Sequence, residues 1–165
     1  MIVLRCTRKL LDRVGPPVAD PPASTSRLGD WYAKPFSVAQ RRYLLVISGP
    51  SRLPVLLPGR DAAGLAHRFA GALGDVLVLL GIPVDVVERE ALASREVVIA
   101  ATDSRSVLGS LNDFALLAQH RLRAEPEIDL AKLAVKLAGT PIIAGGFGFP
   151  YDVARRLLTW PSPPS

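Results

Sequence analysis

Apolar positions follow two rhythms along this chain, short unbroken runs and stripes at three- and four-residue spacing, which predict strands and helices respectively. Ile2 to Cys6 reads as a short strand and Arg8 to Val14 as a short helix capped by Thr7, burying Leu10 and Leu11 and presenting Arg8, Lys9, Asp12 and Arg13. Gly15 to Ser26 is too rich in proline to pack as an element. Asp30 to Val38, Arg42 to Ser48 and Arg52 to Leu57 predict three strands, the first two joined through Ala39, Gln40 and Arg41. The continuous run from Leu44 to Ile47 predicts a central strand covered on both faces. Pro35 cannot donate to a ladder, so the strand before it is expected to be an edge or bulged there.

Helical spacing dominates the second half. Asp61 is expected to cap a helix reaching Leu80, with Leu65, Phe69, Leu73, Val76 and Leu80 inward and His67 on the surface; Gly81 and Pro83 stop it. Val84 to Leu92 predicts a second helix, Glu96 to Ala101 a β-branched strand, and Asp129 to Leu137 and Tyr151 to Trp160 two more helices. Gly139 to Phe149 is glycine-rich but lacks the Lys-Ser/Thr of a phosphate loop. Pro161 to Ser165 is read as a disordered tail.

The most informative stretch is Ala101 to His120. Thr102, Asp103, Ser104 and Ser106 are all suited to cap a helix, and Leu108, Leu111, Ala115, Ala118 and Leu122 form a buried stripe behind them. The spacing predicts one helix over Ser106 to Arg121 beginning within two residues of Ser104. Ser106, Ser110 and Asp113 fall on another line of that helix, beside Asn112. Two readings of this row stay open. It is a ligand or partner site at a helix start, or a set of caps and internal hydrogen bonds; Asp113 is expected to be an anchor that accepts from backbone amides or an arginine. Ser106, Asp113 and His120 do not make a triad, because seven-residue steps place them roughly 10 Å apart.

The elements together predict an α+β fold in a single domain over residues 1–160. Its sheet would be small and largely antiparallel, of about five strands, with helices packed mainly on one face. A hydrophobic fraction of 49% in 165 residues suffices for one core. The apolar run from Val76 to Val84 is far too short to span a bilayer. No leader pattern is visible at the start, so the expected location is the cytoplasm, away from membranes. The single Cys6 has no disulfide or metal-ligand partner in the pattern and is expected to be a small buried strand residue. No metal and no cofactor is expected.

Charge changes the picture further. Residues 1–60 hold ten Arg and Lys against three Asp and Glu, a net +7, whereas the rest carries −2. Such a basic part can attract nucleic acid or an acidic protein, although sixteen Arg to four Lys also fits a GC-rich coding bias. Candidate ligand- or partner-binding residues are Arg5, Lys9, Trp31, Arg42, Asp103, Arg105, Ser106, Ser110, Asn112 and Asp113. Trp31 could stack a base or a ligand, but it is expected instead to pack at a core margin with its indole N–H satisfied. The leading expectation is a non-enzymatic binding or regulatory protein. One alternative is a small enzyme acting on a phosphate-bearing substrate, with Arg5, Lys9 or Arg105 on phosphate and Asp113 as base. Another is a structural subunit of a homo-oligomer.

Three segments carry a resemblance: Arg5-Cys6-Thr7-Arg8-Lys9-Leu10-Leu11, Leu28-Gly29-Asp30-Trp31-Tyr32-Ala33, and Ser106-Val107-Leu108-Gly109-Ser110-Leu111-Asn112-Asp113. In that order the chain resembles a family of small bacterial proteins of unknown function, with R-C-T-x-K-L-L, L-G-D-W-Y/H-A and R-S-V-L-G-S-M-N-D segments. It departs from the family at Pro35, where an apolar strand residue is usual, and in the proline-rich insert before Leu28. The resemblance implies a shared fold and brings no catalytic residue with it.

Overall fold

A computed structural model describes residues 1–60, 62–141 and 148–160. Strand β1 (Ile2–Cys6) passes through Thr7 into helix α1 (Arg8–Val14), and the chain then crosses to β2 (Trp31–Val38). This β–α–β connection brings β2 alongside β1 in parallel, with Leu4 opposite Trp31 and Cys6 opposite Ala33. Then β3 (Arg41–Ser48) and β4 (Pro54–Pro58) follow as an antiparallel meander. Helices α2 (Leu65–Leu79) and α3 (Val84–Ala93) lead to β5 (Val97–Ala101), which runs parallel to β1 on its free side. The sheet order is β4-β3-β2-β1-β5, and α4 (Arg105–Ala124), α5 (Leu130–Ala138) and α6 (Pro150–Thr159) complete the described fold.

The α+β expectation therefore holds, but the sheet is mixed rather than largely antiparallel. The physical reason is that β1 is reached from β2 and from β5 only across helices, and such crossovers return a strand in the same direction. Helices cover both faces of β2. Trp31 and Lys34 are an odd number of residues apart, so they project from opposite faces of β2. Trp31 packs on Phe69 of α2 with ring centroids 5.0 Å apart, whereas Lys34 Nζ donates to Asn112 Oδ1 of α4 at 2.8 Å.

Local chemistry explains most boundaries. Ser104 Oγ accepts from Val107 N at 3.2 Å and opens α4 where the spacing predicted. Asp129 Oδ1 accepts from Lys132 N at 3.0 Å and opens α5. Thr7 stands at the N-cap of α1, but its buried hydroxyl has no partner among the described residues and does not cap. The β2–β3 turn is two residues long, with Ala39 at φ 48° and Gln40 at φ 68°. That left-handed pair matches the twist of a hairpin and is usually supplied by Asn or Gly. Pro35 is accommodated by geometry. Thr7 N donates to Ala33 O at 3.1 Å on the β1 side, and alternation turns the Pro35 nitrogen to that side too, just beyond the end of β1. Strand β2 is thus interior at residues 31–33 and an edge afterwards.

Trp31 is fully buried, not at a core margin, and its indole N–H meets no partner among the described residues. Cys6 is buried as expected, and His67 is exposed. Glu90 is a carboxylate only 2% exposed; it accepts from Ser26 Oγ at 2.6 Å and fastens the segment before β2 to α3. Asp61, residues 142–147 of the glycine-rich segment and the 161–165 tail lie outside the described residues.

Candidate functional site

The first two segments that carry the resemblance meet the loop before α4 at one end of the sheet. Arg5, near the end of β1, donates from Nε to Asp30 Oδ2 at 2.8 Å and from Nη1 to Ala101 O at 3.0 Å. Its Nη1 also lies 3.4 Å from Asp103 Oδ2. The Tyr32 hydroxyl donates to the other Asp103 oxygen at 2.5 Å, and Ser24 Oγ donates to Asp30 Oδ1 at 2.7 Å. Burial opposes the Arg5 charge, but the Asp30 hydrogen bond and the charges of Asp103 and Asp30 prevail and raise its pKa. Burial, reinforced by Asp103, likewise raises the Tyr32 phenol above its ordinary value. This grouping is a closed network in which each charge is answered within the protein.

A second grouping centres on Arg52, in the turn between β3 and β4 with φ 64°. It donates from Nε to Ser110 Oγ at 3.1 Å and from Nη2 to Ser106 Oγ at 3.0 Å, and its Nη1 donates to Gly49 O. Ser106 and Ser110 are therefore the acceptors that pin the start of α4 over the β3–β4 turn. No carboxylate answers Arg52 among these contacts, and burial lowers its pKa. Sequence reasoning placed Arg52 in a strand and missed it; the signal available was a serine row with no evident donor.

The candidates thus divide. Arg5, Asp103, Ser106 and Ser110 are drawn into internal bonds, and Asn112 holds Lys34. Lys9 is exposed on α1 and shares a shallow groove with Lys34, Asn112 and Gln119. Arg105 is exposed with no partner among the described residues. Trp31 belongs to the core. Asp113 is also exposed and without a partner among the described residues, which overturns its reading as an anchor. The periodicity accounts for this, since Phe114 and Ala115 face the sheet and Asp113 points away. Asp113→Asn is expected to change stability by less than about 0.5 kcal/mol in urea denaturation; a clearly larger loss would restore the anchoring role.

Arg42 lies elsewhere, on the α1/α2 face of the sheet. There a concavity of about 340 Å³ opens between α1, the hairpin and the start of α2. Leu10, Val14, Pro35, Leu44 and Leu65 supply apolar wall. Arg13 from α1, Arg42 from β3 and Arg60 from the segment after β4 stand around it, all exposed and without an ion-pair partner among the described residues. Arg68 also lines it and donates to Pro58 O at 3.0 Å. No acidic side chain lines the concavity among the described residues. Among those residues, too, no three His, Cys, Asp or Glu side chains gather to hold a metal ion, and no helix is long and apolar enough to cross a membrane.

These features define a small α+β domain with a mixed five-stranded sheet, a closed polar network at one end and an arginine-rimmed pocket on one face. The chain belongs to the family DUF6933, a domain of unknown function whose model matches residues 3–153. Neither the curated proteins nor the solved structures give a match to it.

Proposed function

We propose that the protein is a non-enzymatic binding protein of the bacterial cytoplasm whose partner, a nucleic acid or an acidic protein, presents negative charge. The observation that carries this reading is the pocket rim. Arg13, Arg42 and Arg60 come from three separate elements to one concavity, and none is neutralised by a carboxylate among the described residues. A guanidinium left unpaired beside its like repels its neighbours, and an anion relieves that repulsion. The same three residues belong to the basic first 60 positions. A catalytic arrangement of Arg5 with Asp113 has less support: Arg5 is held by Asp30 and Asp103, while Asp113 has no partner among the described residues to orient it.

The test is binding at varied salt. Fluorescence anisotropy with a labelled mixed-sequence oligonucleotide, and separately with polyglutamate, should show an affinity that drops between 50 and 200 mM salt. If three phosphates are neutralised, log K should fall against log salt with a slope of roughly −2 to −3. A flat response, or no binding of either polymer at ~50 mM salt, would remove the proposal.

A further inference from the structure

We infer that the arginine-rimmed pocket takes a phosphate monoester carried on one nucleoside-sized body, either a free mononucleotide or the 5′-phosphorylated end of a strand. The inference rests on the reading of this face as an anion-binding surface and narrows its ligand. Three features of the pocket set the chemistry.

The first is charge. Arg13, Arg42 and Arg60 all line the pocket, exposed and without ion-pair partners among the described residues. Planar guanidinium forks match the oxygens of phosphate, giving charge-assisted hydrogen bonds of fixed direction. A phosphodiester or a carboxylate offers a single negative charge. A monoester approaches two at neutral pH, because its second proton leaves near pH 6. It therefore answers the rim more completely than either.

The second is size. About 340 Å³ lies at the small end of ligand sites, which run from roughly 300 to 1,000 Å³. That space admits one nucleoside and not two. The lining comes from α1, the hairpin and the start of α2, and a space of this size suits a terminal group better than the interior of a strand.

The third is the wall. Leu10, Val14, Pro35 and Leu44 line the same pocket as the arginines and supply apolar surface. A bare sugar phosphate would leave hydroxyls facing that wall without partners, which is costly. A purine or pyrimidine presents a flat face instead, and an arginine can lie over it.

Isothermal titration of the full chain with adenosine 5′-monophosphate, adenosine and inorganic phosphate tests the inference. A ten-nucleotide strand is compared with and without a 5′-phosphate. The monophosphate is expected to bind saturably with Kd below about 1 mM, at least tenfold tighter than adenosine or phosphate alone. Arg42→Gln and Arg13→Gln should each weaken it about tenfold, as loss of a charge-assisted bond would. Arg123→Gln on α4, the same change of charge outside the pocket, should leave it unaltered. Circular dichroism confirms that each variant is folded, and Arg60→Gln replaces any that is not. Tighter binding of the free monophosphate identifies the mononucleotide as ligand; tighter binding of the phosphorylated strand identifies the strand end. Either outcome supports the site. Equal weakening by Arg123→Gln would overturn it, as would no preference for the 5′-phosphate in both ligand sets. If salt-sensitive binding of the mixed-sequence oligonucleotide or of polyglutamate persists while the monophosphate fails, only this narrower inference falls. If all of these fail, the broader proposal falls with it.

Discussion

Trp31→Ala is expected to destabilise the protein by about 3–5 kcal/mol, the usual cost of emptying a large aromatic from a packed core. The ring is fully buried and meets Phe69 edge-on with an interplanar angle of 72°, so both its volume and its aromatic contact are lost. The melting temperature should fall by roughly 10 °C or more. Trp31→Phe should cost less than half as much, because the indole N–H has no partner among the described residues to lose. Urea denaturation of both variants checks the pair. An alanine variant as stable as the wild type would show that the ring is not a core element and would reopen its reading as a stacking platform.

The second large effect is a loss of stability in alkali. Burial pushes the Cys6 thiol from its ordinary 9.0 up to about 12 in the folded protein. From about pH 9 upward the unfolded chain releases this proton while the folded chain keeps it. The folded state then binds more protons, and stability falls as pH rises, by at most about 1.4 kcal/mol per pH unit across the window. Tyr32, also raised, acts with the same sign. Cys6→Ala should therefore show a flatter stability profile between pH 9 and 11 than the wild type, from a slightly lower starting value because of the small cavity. Equal slopes would mean that another group governs the alkaline transition.

The elements of this fold were largely legible because their periods are strong. The helix after Ser104 shows its stripe and cap openly, and α4 begins within one residue of that reading. Strand directions were harder. Nothing in Ile2 to Cys6 states its partners, although a helix and a long proline-rich segment before β2 leave room for a parallel crossover. Faces were legible only in part. The buried stripe of α4 already turns Asp113 outward, but hydrogen-bonding capacity suggested an anchor, and exposure decided otherwise. Arg52 lay hidden because a non-glycine residue at positive φ leaves no mark in the sequence. The pocket was hidden for a different reason. Arg13, Arg42 and Arg60 are far apart along the chain, and only the packing of α1 and α2 on one face brings them together.

The position of β1 has a consequence for how the molecule comes together in time. The meander of β2, β3 and β4 closes through short turns, so it can form as soon as its own residues are available. Strand β1 lies between that meander and β5, with Ile2 opposite Val97, and its second partner is separated from it by most of the chain. Such distant pairing must meet its loop-closure cost before any contact offsets it, which slows assembly. Until Val97 to Ala101 docks, the apolar strand containing Ile2, Val3 and Leu4 keeps one bare hydrogen-bonding edge. That edge is a template for another chain, so nascent or nicked molecules lacking β5 are the species of this protein most prone to aggregate.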